Sequence, residues 1–125
     1  MTENHVALVN KVWNYAHVLR DAGVSYGDYV EQITCLLFLK MDEERTEQLG
    51  EASIVPKDCR WDRLRGLSGE KLGQTYAHTL AILSGSTGLL GAIFLKAKNA
   101  IEDPARLQRL VQLIDTETWL GLGVD

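Results

Sequence analysis

The sequence predicts an all-α protein, a compact bundle of four main helices and one short helix with no significant sheet. Apolar residues recur at steps of three and four in four separate segments, which is the spacing of one helix face. Helix caps, glycines and prolines separate these segments. No segment alternates between apolar and polar residues for long enough to predict a strand.

Length and composition indicate one soluble domain that spans residues 1–125. The chain is 46% hydrophobic and 24% charged, as globular proteins are. No apolar run approaches the ~18 residues of a membrane span, and residues 1–5 are polar, unlike a signal peptide. We therefore expect a cytoplasmic protein with no membrane contact, in which Cys35 is a buried free thiol. A net charge of −4 argues against a surface that binds nucleic acid all round.

The first two helices are predicted around a glycine. Residues 2–20 carry one apolar stripe, and Gly23 is suited to end that helix. Ser25 and Asp28 have the spacing of a capping box and predict the start of the second helix. Apolar residues then cover more than one face up to Met41, so we expect this helix to be central, with neighbours on most sides.

The next segment, residues 42–48, is too polar to bury by its composition, and we expect an exposed helical extension or a loop that Gly50 closes. Residues 51–60 are not periodic and contain Pro56, which predicts a surface loop. Trp61 and Leu64 are three apart and are expected to anchor the far end of that loop on the core.

Two further helices follow. The third begins near Ser68, and its apolar positions step by four, four and three: Leu72, Tyr76, Leu80 and Leu83. Residues 84–88 break it, and a short helix follows the break. Asp103 and Pro104 form a strong helix start and predict a last helix, whose stripe consists of Leu107, Leu110, Val111 and Ile114. Residues 119–125 have no helix cap and resemble a chain about to continue.

The sequence contains no self-sufficient catalytic apparatus. His5, His17 and His78 share no metal-ligand spacing with one another or with the cysteines, so we expect no metal site. His17 and His78 lie on amphipathic helices, and we expect both to be boundary imidazoles. The glycine series Gly85, Gly88 and Gly91 follows a helix and no Lys-Ser or Lys-Thr pair follows it, which favours a hinge over a phosphate loop. The acids of residues 42–47 are read as a solvated face, and the aromatic residues mostly as core.

One segment is rich in basic residues although the chain as a whole has a negative net charge. Five of the thirteen basic residues lie between positions 57 and 71: Lys57, Arg60, Arg63, Arg65 and Lys71. A solvated loop and helix face is one interpretation, and a local surface that contacts DNA phosphates or another subunit is the other.

Several ordered phrases, and not one short motif, make the chain resemble a known family. They are Val12-Trp13, Leu19-Arg20, Gly23-Val24-Ser25-Tyr26, Tyr29-Val30, Leu36-Leu37-Phe38-Leu39-Lys40-Met41, Arg60-Trp61-Asp62-Arg63-Leu64 and Ile101-Glu102-Asp103-Pro104. In this order they resemble the N-terminal helical domain of the modification (methylation) subunit of type I restriction-modification systems. The resemblance covers essentially the whole chain.

The resemblance implies a parent enzyme that methylates adenine N6 in DNA with S-adenosylmethionine. It also implies partners: a specificity subunit, a second modification subunit, a restriction subunit and double-stranded DNA. The family's catalytic domain carries a glycine-rich motif after a strand and an Asn/Asp-Pro-Pro-aromatic motif. Neither is present, and Pro56 and Pro104 are the only prolines. The S-adenosylmethionine-binding domain is therefore absent from this chain, and no catalytic or cofactor residue is assigned in it.

Two other interpretations stay open at the level of sequence. The chain could be a freestanding helical protein–protein interaction module, and an immediate stop codon after Asp125 would favour that. It could also be an autonomous DNA-binding domain, although its charge and the lack of a recognition-helix signature weigh against this.

Overall fold

The computed structural model describes residues 10, 11, 13, 14, 17, 20, 23, 25–101 and 103–116. The described helices are α1 (Tyr26–Leu49), α2 (Asp62–Arg65), α3 (Gly69–Ser84), α4 (Gly88–Ile93) and α5 (Pro104–Asp115), with a 3₁₀ turn at Lys57–Cys59 before α2. No strand occurs among these residues, which confirms the predicted all-α class. None of the described helices is long and apolar enough to cross a membrane.

The predicted first helix lies mostly outside the described residues. Its six described positions, residues 10, 11, 13, 14, 17 and 20, are helical. Gly23 has a left-handed φ of 84°, and its N–H donates to the Arg20 carbonyl over 2.9 Å. The predicted glycine stop is therefore confirmed. The prediction for residues 119–125 also lies outside the described part of the chain.

Helix α1 starts and ends where the local signals predict. The Ser25 hydroxyl accepts a hydrogen bond from the Asp28 N–H over 3.4 Å, and this caps the helix. The helix continues without a break through residues 42–48 and ends at Gly50, which has a φ of 69°. Of the two alternatives for that polar segment, the structure selects a helical extension.

The core is built around α3 and α5. Helix α3 packs against α2, α4, α5 and the 3₁₀ turn, and α5 packs against α1, α2 and α3. The predicted stripes of both helices are buried: Leu72, Tyr76, Leu80, Leu83, Leu107, Leu110, Val111 and Ile114. Helix α1 buries Leu36 and Leu39 but leaves Val30 43% and Met41 38% exposed. The burial of Tyr29, Ile33 and Cys35 as well fits the predicted central position, and Val30 and Met41 mark one side that stays exposed.

The loop before α2 is anchored as predicted, by Trp61 and Leu64, which have no exposed surface. The single turn of α2 was not predicted, because four residues carry no periodic signal. It forms because Leu64 N–H donates to the Trp61 carbonyl over 2.9 Å while both side chains enter the core.

The glycine series marks a break between α3 and α4, as the hinge interpretation predicts. Gly88 has a left-handed φ of 67° and opens α4. A Cβ added to Gly91 would collide with the carbonyl oxygen of Ser86. A glycine is therefore required at position 91, because two backbone segments approach closely there. Packing thus explains the last glycine of the series.

Helix α5 begins as its sequence predicts. The Asp103 carboxylate accepts from the Ala105 N–H over 3.0 Å, and Pro104 occupies the first turn. Cys35 and Cys59 are both buried free thiols, which confirms the expectation for Cys35. Burial, with a smaller contribution from Glu31, raises the pKa of Cys35 to about 12.

A buried chain of hydrogen bonds joins three elements across the core. The Tyr76 hydroxyl donates to Gln32 Oε1 over 2.7 Å, and Gln32 Nε2 donates to the Lys98 carbonyl over 2.8 Å. Both Tyr76 and Gln32 have no exposed surface, and burial raises the pKa of Tyr76 well above its usual value. The tyrosine therefore keeps its proton and stays a donor at physiological pH. The two hydrogen bonds fix α1 against α3 and against the segment before α5.

We expect Tyr76→Phe to lower the free energy of unfolding by about 1–3 kcal/mol, because Gln32 Oε1 would lose its donor while staying buried. Urea denaturation measures the change. A Gln32→Leu/Tyr76→Phe double variant serves as the control and should cost less than the sum of the two single changes. Strictly additive costs would show that the two side chains do not depend on each other.

Candidate functional site

The structure places the five predicted contact residues on consecutive elements of one region. Lys57 lies in the 3₁₀ turn, Arg60 just before α2, Arg63 and Arg65 in α2, and Lys71 in the first turn of α3. The 3₁₀ turn and α2 both pack against α3. Arg60 is half-buried and the other four are exposed.

The five cations differ in what they already bind. Arg65 pairs with Glu43 over 3.3 Å and with Asp115 over 3.8 Å. Arg63 pairs over 3.5 Å with Asp58, whose side chain is 85% exposed, so that pair is weak. Lys57 and Lys71 form no ion pair with any residue that the structure describes.

Arg60 faces acidic residues. Its Nε donates to the Val55 carbonyl over 3.0 Å. It also lines an open cleft of about 420 Å³ between the end of α1 and the following loop. The other residues that line the cleft are Asp42, Glu43, Thr46, Glu47, Glu51, Ala52, Ser53 and Asp62. The predicted basic region therefore has an acidic border, and Arg60 belongs to that border.

The acids at the end of α1 are not a simple solvated face, and this corrects the sequence-based expectation. Asp42 is 6% and Glu44 3% exposed. Asp42 accepts from Arg45 over 3.0 Å, from the Ile54 N–H over 3.3 Å and from the Ser53 hydroxyl. Each bond satisfies a carboxylate that burial would otherwise destabilise. Asp42 thereby ties the loop to the helix.

A second polar cluster surrounds the last residue of α5. Asp115 Oδ1 accepts from Trp61 Nε1 over 2.8 Å and lies 3.7 Å from Lys40 Nζ and 3.8 Å from Arg65. Lys40 also pairs with Glu44 over 3.4 Å. Residues 36–41 and 60–64 both belong to the family resemblance. Through Lys40 and Trp61 they both contact the carboxylate of Asp115, which lies more than 50 positions after either segment.

Glu43 combines an ion pair with burial, and burial dominates. Its side chain is 13% exposed and lies 3.3 Å from Arg65, whose side chain is 42% exposed. Burial raises the pKa of Glu43 above its usual value, and the attraction of Arg65 lowers it by less. Solvent around the half-exposed guanidinium weakens its attraction.

An apolar groove of about 240 Å³ was not predicted. Phe38, Met41, Ile54 and Leu89 line it, with Asp42 and Arg45 at its rim. Met41, Ile54 and Leu89 are exposed. Sequence reasoning missed it because the apolar residues of α1 were all assigned to the core, and because Ile54 and Leu89 are distant in sequence.

The histidine and aromatic residues add no site among the described residues. His17 and His78 are exposed and not at the core boundary, and the described residues contain no group of three metal-ligating side chains. Tyr29, Trp61 and Tyr76 are buried, as predicted, so they offer no stacking surface. Trp13 is 53% exposed. His5, Tyr15 and Trp119 lie outside the described part of the chain.

The fold and its charges define a helical domain with one mixed basic and acidic face. A family model described as the HsdM N-terminal domain matches residues 8–115. The chain belongs to this family and is the N-terminal domain of a type I restriction-modification methylase subunit.

Relatives and a solved structure agree with this assignment. The StySJI methylase subunit of Salmonella typhimurium is 38% identical over 117 residues, and the EcoKI methylase subunit of Escherichia coli is 36% identical over 117 residues. Each alignment covers 93% of this chain and 22% of the relative. The crystal structure of the EcoKI M protein superimposes with a TM-score of 0.79 at 37% identity, over 90% of this chain and 23% of that one. The chain thus spans less than a quarter of the length of these relatives.

We expect Glu43→Gln to stabilise the domain increasingly as the pH rises. A raised pKa means that the folded state holds this proton more tightly than the unfolded chain. The wild type therefore loses stability from the unfolded pKa upward through the raised folded pKa, and a glutamine, which mimics the protonated acid, does not. Urea denaturation at about pH 4 and about pH 7 measures the difference.

Glu70→Gln is the matched control, because Glu70 is exposed on α3. Its effect should hardly differ between the two pH values. A Glu43→Gln variant that is less stable than wild type at neutral pH, and not at acidic pH, would show that the Arg65 pair outweighs burial.

Proposed function

We propose that the full-length protein transfers a methyl group from S-adenosylmethionine to adenine N6 in DNA, and that this domain serves assembly and DNA-backbone contact. The observation that carries the proposal is the family match over residues 8–115 together with 36–38% identity to named methylase subunits. The reaction itself is assigned to the part of the full-length protein that this chain does not include.

The residues of this domain do not fit S-adenosylmethionine. The described residues form no strand, so they hold no glycine-rich turn after a strand of the kind that binds such cofactors. The glycine series follows α3 and is occupied by a backbone contact between Gly91 and Ser86. No residue here is assigned to the cofactor, and no step of the reaction is placed in this domain.

Assembly with other subunits is the first role that we assign to the domain. In the proposed complex, two methylase subunits bind one specificity subunit, which reads the DNA target, and a restriction subunit joins them in the cytoplasm. The proposal is supported by the relatives, which are named as subunits of type I restriction enzymes. A rigid domain with a continuous core suits such a role, because docking it does not require ordering a flexible chain.

Contact with DNA phosphates is the second role, and the exposure and ion pairs of the predicted residues support some of them more than others. Lys57 and Lys71 are exposed and form no ion pair among the described residues. Arg63 has only the weak pair with exposed Asp58. Arg65 is committed to Glu43 and Asp115, and Arg60 borders the acidic cleft. We therefore assign phosphate contact to Lys57, Arg63 and Lys71 before the other two.

Methyl transfer is tested with the full-length protein and its cognate specificity subunit. We expect N6-methyladenine to appear in unmethylated genomic DNA only when both subunits and S-adenosylmethionine are present. Mass spectrometry of the digested nucleosides measures the product. DNA without methylated adenine, from a complex shown to be assembled, would rule the activity out.

Charge reversal tests the phosphate contacts. We expect Lys57→Glu/Lys71→Glu to weaken duplex binding by the assembled complex and to reduce the slope of log K against log salt by about two, since each phosphate contact contributes about 0.9. Binding titrations at several salt concentrations measure both quantities. Arg65 is left unchanged, because an acid there would face Glu43 and Asp115.

The matched control is Lys98→Glu/Arg109→Glu, which changes the net charge equally at exposed positions outside the predicted region. Its salt slope should stay near the wild-type value. Equal losses of slope in both double variants would show that net charge alone, and no local surface, governs the affinity.

A further inference from the structure

The carboxylate of Asp115 is placed where a helix ends and, in the relatives, the chain goes on. Asp115 is the last residue of α5, and Thr116 caps that helix by donating from its N–H to the Gln112 carbonyl over 3.2 Å. The family model is an N-terminal domain, and the chain covers 22% of its relatives. In these relatives the end of α5 therefore leads to the larger, remaining part of the protein.

An acid at this position is unfavourable for the helix itself. The C-terminal end of a helix carries a partial negative charge, so a carboxylate there opposes the helix dipole. The last turn of α5 contains no basic residue that could offset this. The compensation must come from outside the helix.

One hydrogen bond and two longer ion pairs from other parts of the fold supply it. Trp61 Nε1 lies 2.8 Å from Asp115 Oδ1, Lys40 Nζ from α1 lies 3.7 Å away, and Arg65 from α2 lies 3.8 Å away. Trp61 has no exposed surface and Lys40 is 8% exposed, so both groups are buried in the domain. A movement of the end of α5 away from these groups weakens all three contacts.

We propose that Asp115 is a positioning residue that fixes the direction in which the polypeptide leaves this domain for the part that follows. The inference rests on the proposed function only in that the full-length protein continues past α5 as a methylase subunit. Because its end is held in this way, α5 sets the orientation of the part of the full-length protein that follows it relative to α1 and α2. Loss of the carboxylate releases the end of α5 and widens the range of orientations between the two parts.

Loss of Asp115 leaves the buried Trp61 N–H without its acceptor, so Asp115→Ala is expected to lower the stability of the domain. Lys40 keeps its pair with Glu44 over 3.4 Å, and Arg65 keeps its pair with Glu43 over 3.3 Å. Neither cation is left without a partner. An effect on orientation is separated from an effect on stability by Asp115→Asn, which keeps an acceptor for the Trp61 N–H and loses both ion pairs.

The experiment measures a distance in the full-length subunit. One spin label is attached at Ala77→Cys, an exposed position on α3, and a second at a surface position of the part that follows. Cys35 and Cys59 are buried and burial raises the pKa of both, so they should stay unlabelled. Pulsed dipolar spectroscopy gives the distribution of distances.

We expect a narrow distribution in the wild type and one about twofold wider in Asp115→Ala, because free relative motion is the default between loosely joined domains. Asp115→Asn keeps an acceptor for Trp61 but loses both ion pairs, and should be intermediate. Trp61→Phe keeps most of the buried ring and removes the donor, so it should also widen the distribution.

Asp103→Asn is the matched control. Asp103 lies at the other end of α5, where it caps the helix and pairs with Arg106 over 3.6 Å. It should leave the width unchanged. A distribution already wide in the wild type, or equal widths in Asp115→Ala and wild type, or equal widening by Asp103→Asn, would overturn the proposal.

Adenine methylation by the wild type is measured separately. A labelled protein that shows the expected widening but methylates no DNA would remove the proposed function and leave the role of Asp115 intact. A protein that methylates DNA but shows equal distance distributions in the wild type and in Asp115→Ala would support the proposed function and overturn the role of Asp115.

Discussion

The buried indole of Trp61 is the constraint on which the contacts between the loop after α1, helix α2 and the end of α5 depend. Its ring has no exposed surface, so its N–H must find an acceptor inside the fold. That acceptor is Asp115, 54 positions further along the chain. This hydrogen bond joins the end of the loop after α1 and the start of α2 to the last residue of α5. Lys40 of α1 and Arg65 of α2 form longer ion pairs with the same carboxylate, over 3.7 Å and 3.8 Å.

Charge in this domain is arranged mainly by pairing. Asp42 and Glu44 are buried near the end of α1, and each has cationic or hydrogen-bonding partners. Asp42 holds the loop, whereas Glu44 shares Lys40 with Asp115. The cost of removing these carboxylates from water is offset only while all partners are in place. Glu43, Glu47, Glu51 and Asp62 line a cleft together with Arg60. Because these acids lie beside the basic region, the basic surface is smaller than the spacing of lysines and arginines indicates.

Local chemistry explains why much of the fold was predictable. The Ser25 cap, the stop at Gly50 and the Asp103-Pro104 start each depend on groups within a few residues of one another, so the sequence carries the whole signal. The apolar stripes of α3 and α5 are equally local. The single turn of α2 was not predictable, because four residues show no period and Trp61 holds them through distant packing.

Apart from the single turn of α2, the sequence alone determined the described helices, their ends, the buried stripes and the family, because each follows from residues close together or from ordered phrases. Only the tertiary structure decided which charges are free. It paired Arg65 with Glu43 and Asp115, buried Asp42 and Glu44, and opened an apolar groove beside Met41. The physical reason is that ion pairs and burial depend on distances in space between residues far apart in the chain, and composition gives no measure of those distances.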